Sequence, residues 1–130
     1  MKGKLQMEIK KLDHVNVRTS KLDAMIRWYE TNLGLKNGPR PDFGFGGAWL
    51  YAGDHAVVHL VEVDQECASV EPKIEHFAFQ ATDYTSFVKR LEENGVEYRP
   101  FHVPGWPIIQ INIEDCDGNH IHIDFHGDEF

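Results

Sequence analysis

The stretch Asp115-Cys116-Asp117-Gly118-Asn119-His120-Ile121-His122-Ile123-Asp124-Phe125 decides the fold. It opens as a turn, because Asp-Gly-Asn tolerates tightly bent backbone. Strict alternation follows, with His120, His122, Asp124 and His126 on one side and Ile121, Ile123 and Phe125 on the other. A period of two predicts a strand with one face buried. Solvated strand faces usually carry Lys, Thr, Glu or Ser, whereas this one is almost wholly imidazole. Neutral imidazole is the commonest biological metal ligand, so the face points first to metal binding.

Working outward, the same pattern occurs earlier in the chain. Val58-His59-Leu60 repeats as Ile121-His122-Ile123, an offset of 63 residues from His59 to His122. Leu12-Asp13-His14-Val15-Asn16-Val17 repeats as Ile74-Glu75-His76-Phe77-Ala78-Phe79, an offset of 62 from His14 to His76. The helix-ending glycines Gly34 and Gly95 lie 61 apart. Three landmarks that agree within two residues imply an internal duplication, which sets the architecture. The first half, about residues 10–64, reads as a strand over 11–17 and a helix over 20–33. Leu22, Met25, Ile26, Tyr29 and Leu33 form the apolar stripe, Thr19 or Ser20 supplies a cap, and Gly34 ends the helix. A breaker-rich loop over 37–42 leads to strands over 48–52 and 56–63. The second half, about residues 73–126, reads as a strand over 73–80 and a helix capped by Asp83 with Tyr84, Phe87, Val88 and Leu91 inward. Strands over 96–102 and 108–113 and the histidine strand complete it.

With 130 residues, 42% hydrophobic, the chain has the size of one α+β domain spanning 1–130. No apolar run reaches membrane-spanning length, and the basic start over 1–7 lacks the apolar core of a signal peptide. Cys67 and Cys116 match no zinc or disulfide framework, which predicts free thiols in a reducing, cytoplasmic setting. A net charge of −8 argues against a nucleic-acid partner.

Each unit buries one sheet face under its helix, and the opposite faces of two units would curl into a cleft. The flanking residues Val15, Val17, Phe77, Phe79, Ile121 and Ile123 are apolar and belong under the helices, so His14, His59, His76 and His122 point to the concave side. A single inward histidine is usually a hydrogen-bonded core residue. Four at repeat-related places predict the coordination shell of a divalent metal ion. His120 faces the same way as His122, but only His122 repeats His59. Trp49 and Tyr51 share a strand face, and Phe43, Phe45 and Trp106 sit in Gly/Pro-rich loops. Such aromatics either line a small-molecule cleft or pack a rim or interface. Arg40, between two prolines, either anchors a substrate carboxylate or phosphate or is simply solvated.

These motifs, with Asn32-Leu33-Gly34-Leu35 after the first helix, cover about residues 10–126. Together they resemble the vicinal oxygen chelate superfamily, the group of glyoxalase I, fosfomycin-resistance thiol transferases, extradiol dioxygenases and bleomycin-binding proteins. The resemblance implies two tandem βαβββ modules whose cupped mixed sheets, helices outside, surround a divalent metal such as Zn, Ni, Mn or Fe. His14 and His76 match the family's histidine ligands, whereas His59 and His122 stand where glyoxalase-like members often carry glutamate. Four neutral ligands leave the full metal charge in the site, which favours an anionic or enolate-forming substrate. They also remove the usual carboxylate base, leaving Asp124, beside His122, as the candidate for moving a proton.

The expected activity is that of a metal-dependent lyase or isomerase of glyoxalase type, acting on a small substrate with vicinal oxygens through an enolate-like intermediate. A metal-dependent dioxygenase or thiol transferase is the first alternative. A metal-free drug- or metabolite-binding protein is the second, and the four histidines count against it. The resemblance also implies a homodimer sharing each metal site, with His14 and His59 from one chain and His76 and His122 from the other. The short connector over 64–73 reaches either that arrangement or one within a single chain.

Overall fold

Alternating strands and one amphipathic helix build the same four-stranded sheet in each half. The computed structural model describes residues 7–127; the start over 1–6, part of the stretch expected to lack a signal peptide, lies outside the described residues, as do 128–130. The first half runs β1 (Val15–Thr19), α1 (Leu22–Trp28) continued by a π-helical turn over Tyr29–Leu33, β2 (Lys36–Gly38), β3 (Gly47–Ala52) and β4 (His55–Glu62). The second runs β5 (Phe77–Gln80), α2 (Tyr84–Glu93), β6 (Arg99–His102), β7 (Ile108–Glu114) and β8 (His120–His126). Strand orders are β1-β4-β3-β2 and β5-β8-β7-β6, with the first strand of each half parallel to the last and the others antiparallel. The result is two βαβββ modules of an α+β fold, as the repeat predicts. Among the described residues no helix is long and apolar enough to cross a membrane.

Several boundaries differ from expectation, each for a physical reason. β1 and β5 begin at Val15 and Phe77, where parallel pairing with Val58 and Ile121 begins, so His14 and His76 stand just before their strands. β2 was hidden in a breaker-rich stretch. It is an edge strand of three residues, and its Gly38 passes under the Tyr51 ring, where a Cβ would lie 2.8 Å from ring carbons. β6 begins at Arg99 rather than Val96. Thr19 does not cap α1 itself. Its hydroxyl accepts from the Lys21 N–H (3.0 Å) and donates to Asp117 (2.6 Å). Gly34 closes the helix at φ 70°, and Asp83 caps α2 by accepting from the Ser86 N–H at 3.2 Å.

The buried faces form one continuous core through both modules. Leu50, Val58 and Leu60 join Ile109, Ile111, Ile113, Ile121, Ile123 and Phe125 around Met25, Tyr29 and Leu91 of the helices. The opening turn of the histidine strand latches the halves together. Buried Asp115 accepts from the Asp117 and Asn119 backbone N–H groups (2.9 and 3.0 Å) and from the Tyr29 hydroxyl across the junction (2.7 Å). Asn94 also donates to Asn32 of the first half at 3.0 Å. With one face of each sheet in the core, the imidazoles are left on the other.

Candidate metal centre

Two histidine pairs are built alike. In the first module β4 carries His59 opposite Trp49 of β3, and His14, just ahead of β1, stacks on it at 3.8 Å with planes 12° apart. In the second, β8 carries His122 opposite Asn112 of β7, and His76 stacks on it at 3.9 Å and 14°. The residue before each leading histidine is acidic and bonds its ring. Asp13 Oδ2 lies 2.7 Å from His14 Nδ1, and Glu75 Oε1 lies 2.6 Å from His76 Nδ1. Each carboxylate also reaches a second imidazole. Asp13 Oδ1 is 3.0 Å from His55 Nε2, and Glu75 Oε2 is 2.7 Å from His120 Nδ1.

Burial, reinforced by the neighbouring histidine of each pair, holds His59 and His122 below the ordinary histidine range. Both therefore favour the neutral form that a metal requires. Hydrogen bonds from the imidazoles hold Asp13 and Glu75 below the usual carboxylate range.

The donor set fits a divalent ion. Ligand atoms of His76, His120 and His122 all lie within 4.8 Å of one another, the one such group of three or more potential metal ligands among the described residues. His122 is only 9% exposed, and its Nδ1 is buried without a hydrogen-bond partner, as is Asp124 Oδ1, 4.0 Å away. A buried polar atom left unpaired costs on the order of 1–3 kcal/mol, so such atoms mark places where a proton, water or ion belongs. Imidazole suits Zn, Ni, Cu and Fe. His14 and His59 do not join this group, so the four histidines do not converge on one point within a chain.

The other expected site residues separate into three kinds. Trp49 stacks on His59 at 4.1 Å, and Trp49 and Tyr51 line a cavity of about 500 Å³ with Asp13, His14, Asp54, His55, Ala56 and His59. Phe43 stands behind this wall, 6.2 Å from Trp49 and stacked on Phe45. Arg40 packs over both phenyl rings at 4.9 and 5.2 Å and donates to the Phe45 carbonyl (3.0 Å), which pins the loop. Trp106 is 68% exposed and lines neither the histidine cavity nor a second cavity of about 330 Å³ between the modules, which holds no histidine. Asp13, Glu75, His55 and Asn112 were given no site role from the sequence. The signal for the first two was present, since an acidic residue precedes both repeat-related histidines.

Comparison with known proteins agrees with this architecture. Residues 11–123 match the Glyoxalase/Bleomycin resistance protein/Dioxygenase superfamily. The protein named Glyoxylase I 4 of Arabidopsis thaliana is 30% identical over 125 residues, spanning 90% of this chain and 71% of that one. A solved glyoxalase family protein from Bacillus anthracis superposes with a TM-score of 0.78 at 21% identity, over 95% of this chain and all of the other. Lactoylglutathione lyase from Agrobacterium tumefaciens does so with a TM-score of 0.69 at 17% identity, over 92% and 96%. The solved structures speak for the fold, and the match over nearly the whole chain speaks for the family. The chain belongs to the Glyoxalase/Bleomycin resistance protein/Dioxygenase superfamily.

Proposed function

We propose that the protein is a metal-dependent enzyme of glyoxalase type, a lyase or isomerase acting on a small substrate with two adjacent oxygens. The observation that carries this is the pair of stacked histidines built twice, at repeat-related places, each with a carboxylate behind its leading ring. His14 and His59 of one chain, with His76 and His122 of the partner subunit, would hold the ion in a two-fold dimer. Two features support the dimer. The pairs do not converge within one chain. Leu12 and Ile74, each two residues before a leading histidine, are both 77% exposed and would be covered by a second copy.

A bound divalent ion supplies Lewis acidity, drawing electron density from the substrate oxygens as negative charge develops. The chain's own groups do the rest. Trp49 and Tyr51 offer a flat wall to the substrate body. Asp124, whose buried Oδ1 lies 4.0 Å from His122 Nδ1, is the carboxylate assigned to accept a proton, since Glu75 is taken up by His76 and His120. The names of the Arabidopsis relative and of the solved lactoylglutathione lyase agree with this class.

The test is turnover of the hemithioacetal of a 2-oxoaldehyde and a thiol by protein loaded in turn with Zn²⁺, Ni²⁺, Mn²⁺ and Fe²⁺. Exchange of the hydrogen next to the oxygens with deuterated solvent is followed alongside. Conversion and exchange that need the metal and vanish in His76→Ala are expected. A fully loaded protein that neither converts nor exchanges such substrates would contradict the proposal.

A further inference from the structure

We infer that Glu75, and Asp13 at the repeat-related place, are positioning residues that fix which ring nitrogen His76 and His14 offer to a metal. The inference rests on the metal-centre reading above. A carboxylate only accepts, so its contact with Nδ1 puts the proton there and leaves the lone pair on Nε2. That contact is 2.6 Å for Glu75 with His76 and 2.7 Å for Asp13 with His14.

Glu75 is itself held. Its Oε2 bonds His120 Nδ1 at 2.7 Å, and His120 Nε2 faces Asn112 Oδ1 at 2.8 Å. Asn112 Nδ2 donates to the Arg99 carbonyl at 3.1 Å, which fixes the amide so that its oxygen faces His120. A chain of side chains thus runs from the β6 backbone through Asn112, His120 and Glu75 to His76. Both nitrogens of His120 face oxygens, so His120 holds Glu75 in place here and would have to give up one of these contacts to bind a metal.

The second imidazoles show that this arrangement is more than an inherited repeat. The 63-residue alignment of His59 with His122 sets His120 against Val57 and His55 against Gly118. The two halves therefore place a carboxylate between two imidazoles from positions that the duplication does not relate. The Asp13 and Glu75 side chains are 63% and 68% exposed, so neither serves the core. Partners of this kind behind ligand histidines typically alter metal affinity by about tenfold to a hundredfold.

The experiment compares the full chain with Glu75→Gln, Glu75→Asp and His76→Ala. Zn²⁺ affinity is read by competition with a coloured chelator, and the His76 tautomer by nitrogen NMR of the metal-free protein. Glu75→Gln is expected to move His76 away from the Nδ1–H form and to weaken Zn²⁺ binding by about tenfold to a hundredfold. Glu75→Asp, the residue type that the first module uses, is expected to recover most of the affinity. An unchanged tautomer and affinity in Glu75→Gln, with binding lost in His76→Ala, would overturn the inference and leave the metal centre standing. Unfolding of Glu75→Gln would also overturn it, by making the residue structural. Failure of the unaltered chain to bind Zn²⁺ with an unchanged tautomer in Glu75→Gln would overturn both. The same failure with the tautomer shifted would overturn the metal reading but uphold the hold on His76.

Discussion

His59 and His122 carry the clearest electrostatic signature at the scale of single residues. Burial holds both below their ordinary value of 6.5, so the folded chain keeps them neutral further into acid than a free imidazole would be. The sign for stability follows. The unfolded chain takes up protons at these residues first, so their effect is absent above the ordinary histidine range and costs stability as pH falls through it. For metal binding, affinity should hold at neutral pH and fall as the pair becomes protonated, displaced to the acid side of ordinary imidazole. Calorimetric titration with Zn²⁺ at pH steps from about 7 to about 5 checks this, and flat affinity across that range would count against histidine ligation. His76→Ala should remove most of the metal, read by elemental analysis, with the circular dichroism of the fold kept. The four histidines were legible in the sequence because alternation and duplication both mark them. Asp13 and Glu75 were not used, because an acidic residue before a histidine reads as ordinary surface until the side chains are placed.

At the scale of elements, helices and central strands were legible and their edges less so. Periodicity places α1, α2, β4, β7 and β8 because each has a buried stripe or face. It does not say where a strand finds its partner, and partner register is what starts β1 at Val15 and β5 at Phe77. β2 could not be read from Lys36-Asn37-Gly38, since its pairing depends on Gly38 fitting beneath Tyr51. The Asp83 cap was legible, although its left-handed backbone at φ 67° was not. Asp83→Ala loses the bond to Ser86 and puts a methyl side chain in that conformation, so it should cost about 1–3 kcal/mol. A thermal or urea melt gives the value. Asp83→Asn keeps a capping oxygen and tolerates the backbone, so it should cost far less.

At the scale of the whole molecule, the junction between modules and the proposed join between chains have different roles. The junction is internal, held by the shared core and by Tyr29 on Asp115. Burial and the adjacent Asp115 carboxylate push the Tyr29 phenol far above its ordinary value, so it stays a donor at every working pH. Tyr29→Phe removes one of the partners of a buried carboxylate and should cost about 1.5–3 kcal/mol in a denaturant melt. The duplication was visible as an offset of about 62 residues, and the histidine faces were expected to meet in a cleft; that the helix-covered faces of the two modules would share one core was not legible, because each helix was expected to cover only its own sheet. Within one chain the helix-covered faces share the core, and the histidine faces remain apart. The metal centre proposed to be shared between two chains is the central claim. Mixing a His14→Ala chain with a His76→Ala chain, with exchange of subunits, tests it most directly by Zn²⁺ bound per dimer. A mixed dimer would then hold one intact site, carrying His14 from one chain and His76 from the other, and one site lacking both. Recovery of tight Zn²⁺ binding in a fraction of the dimers is the predicted result. No recovery at any mixing ratio, with subunit exchange confirmed, would contradict it.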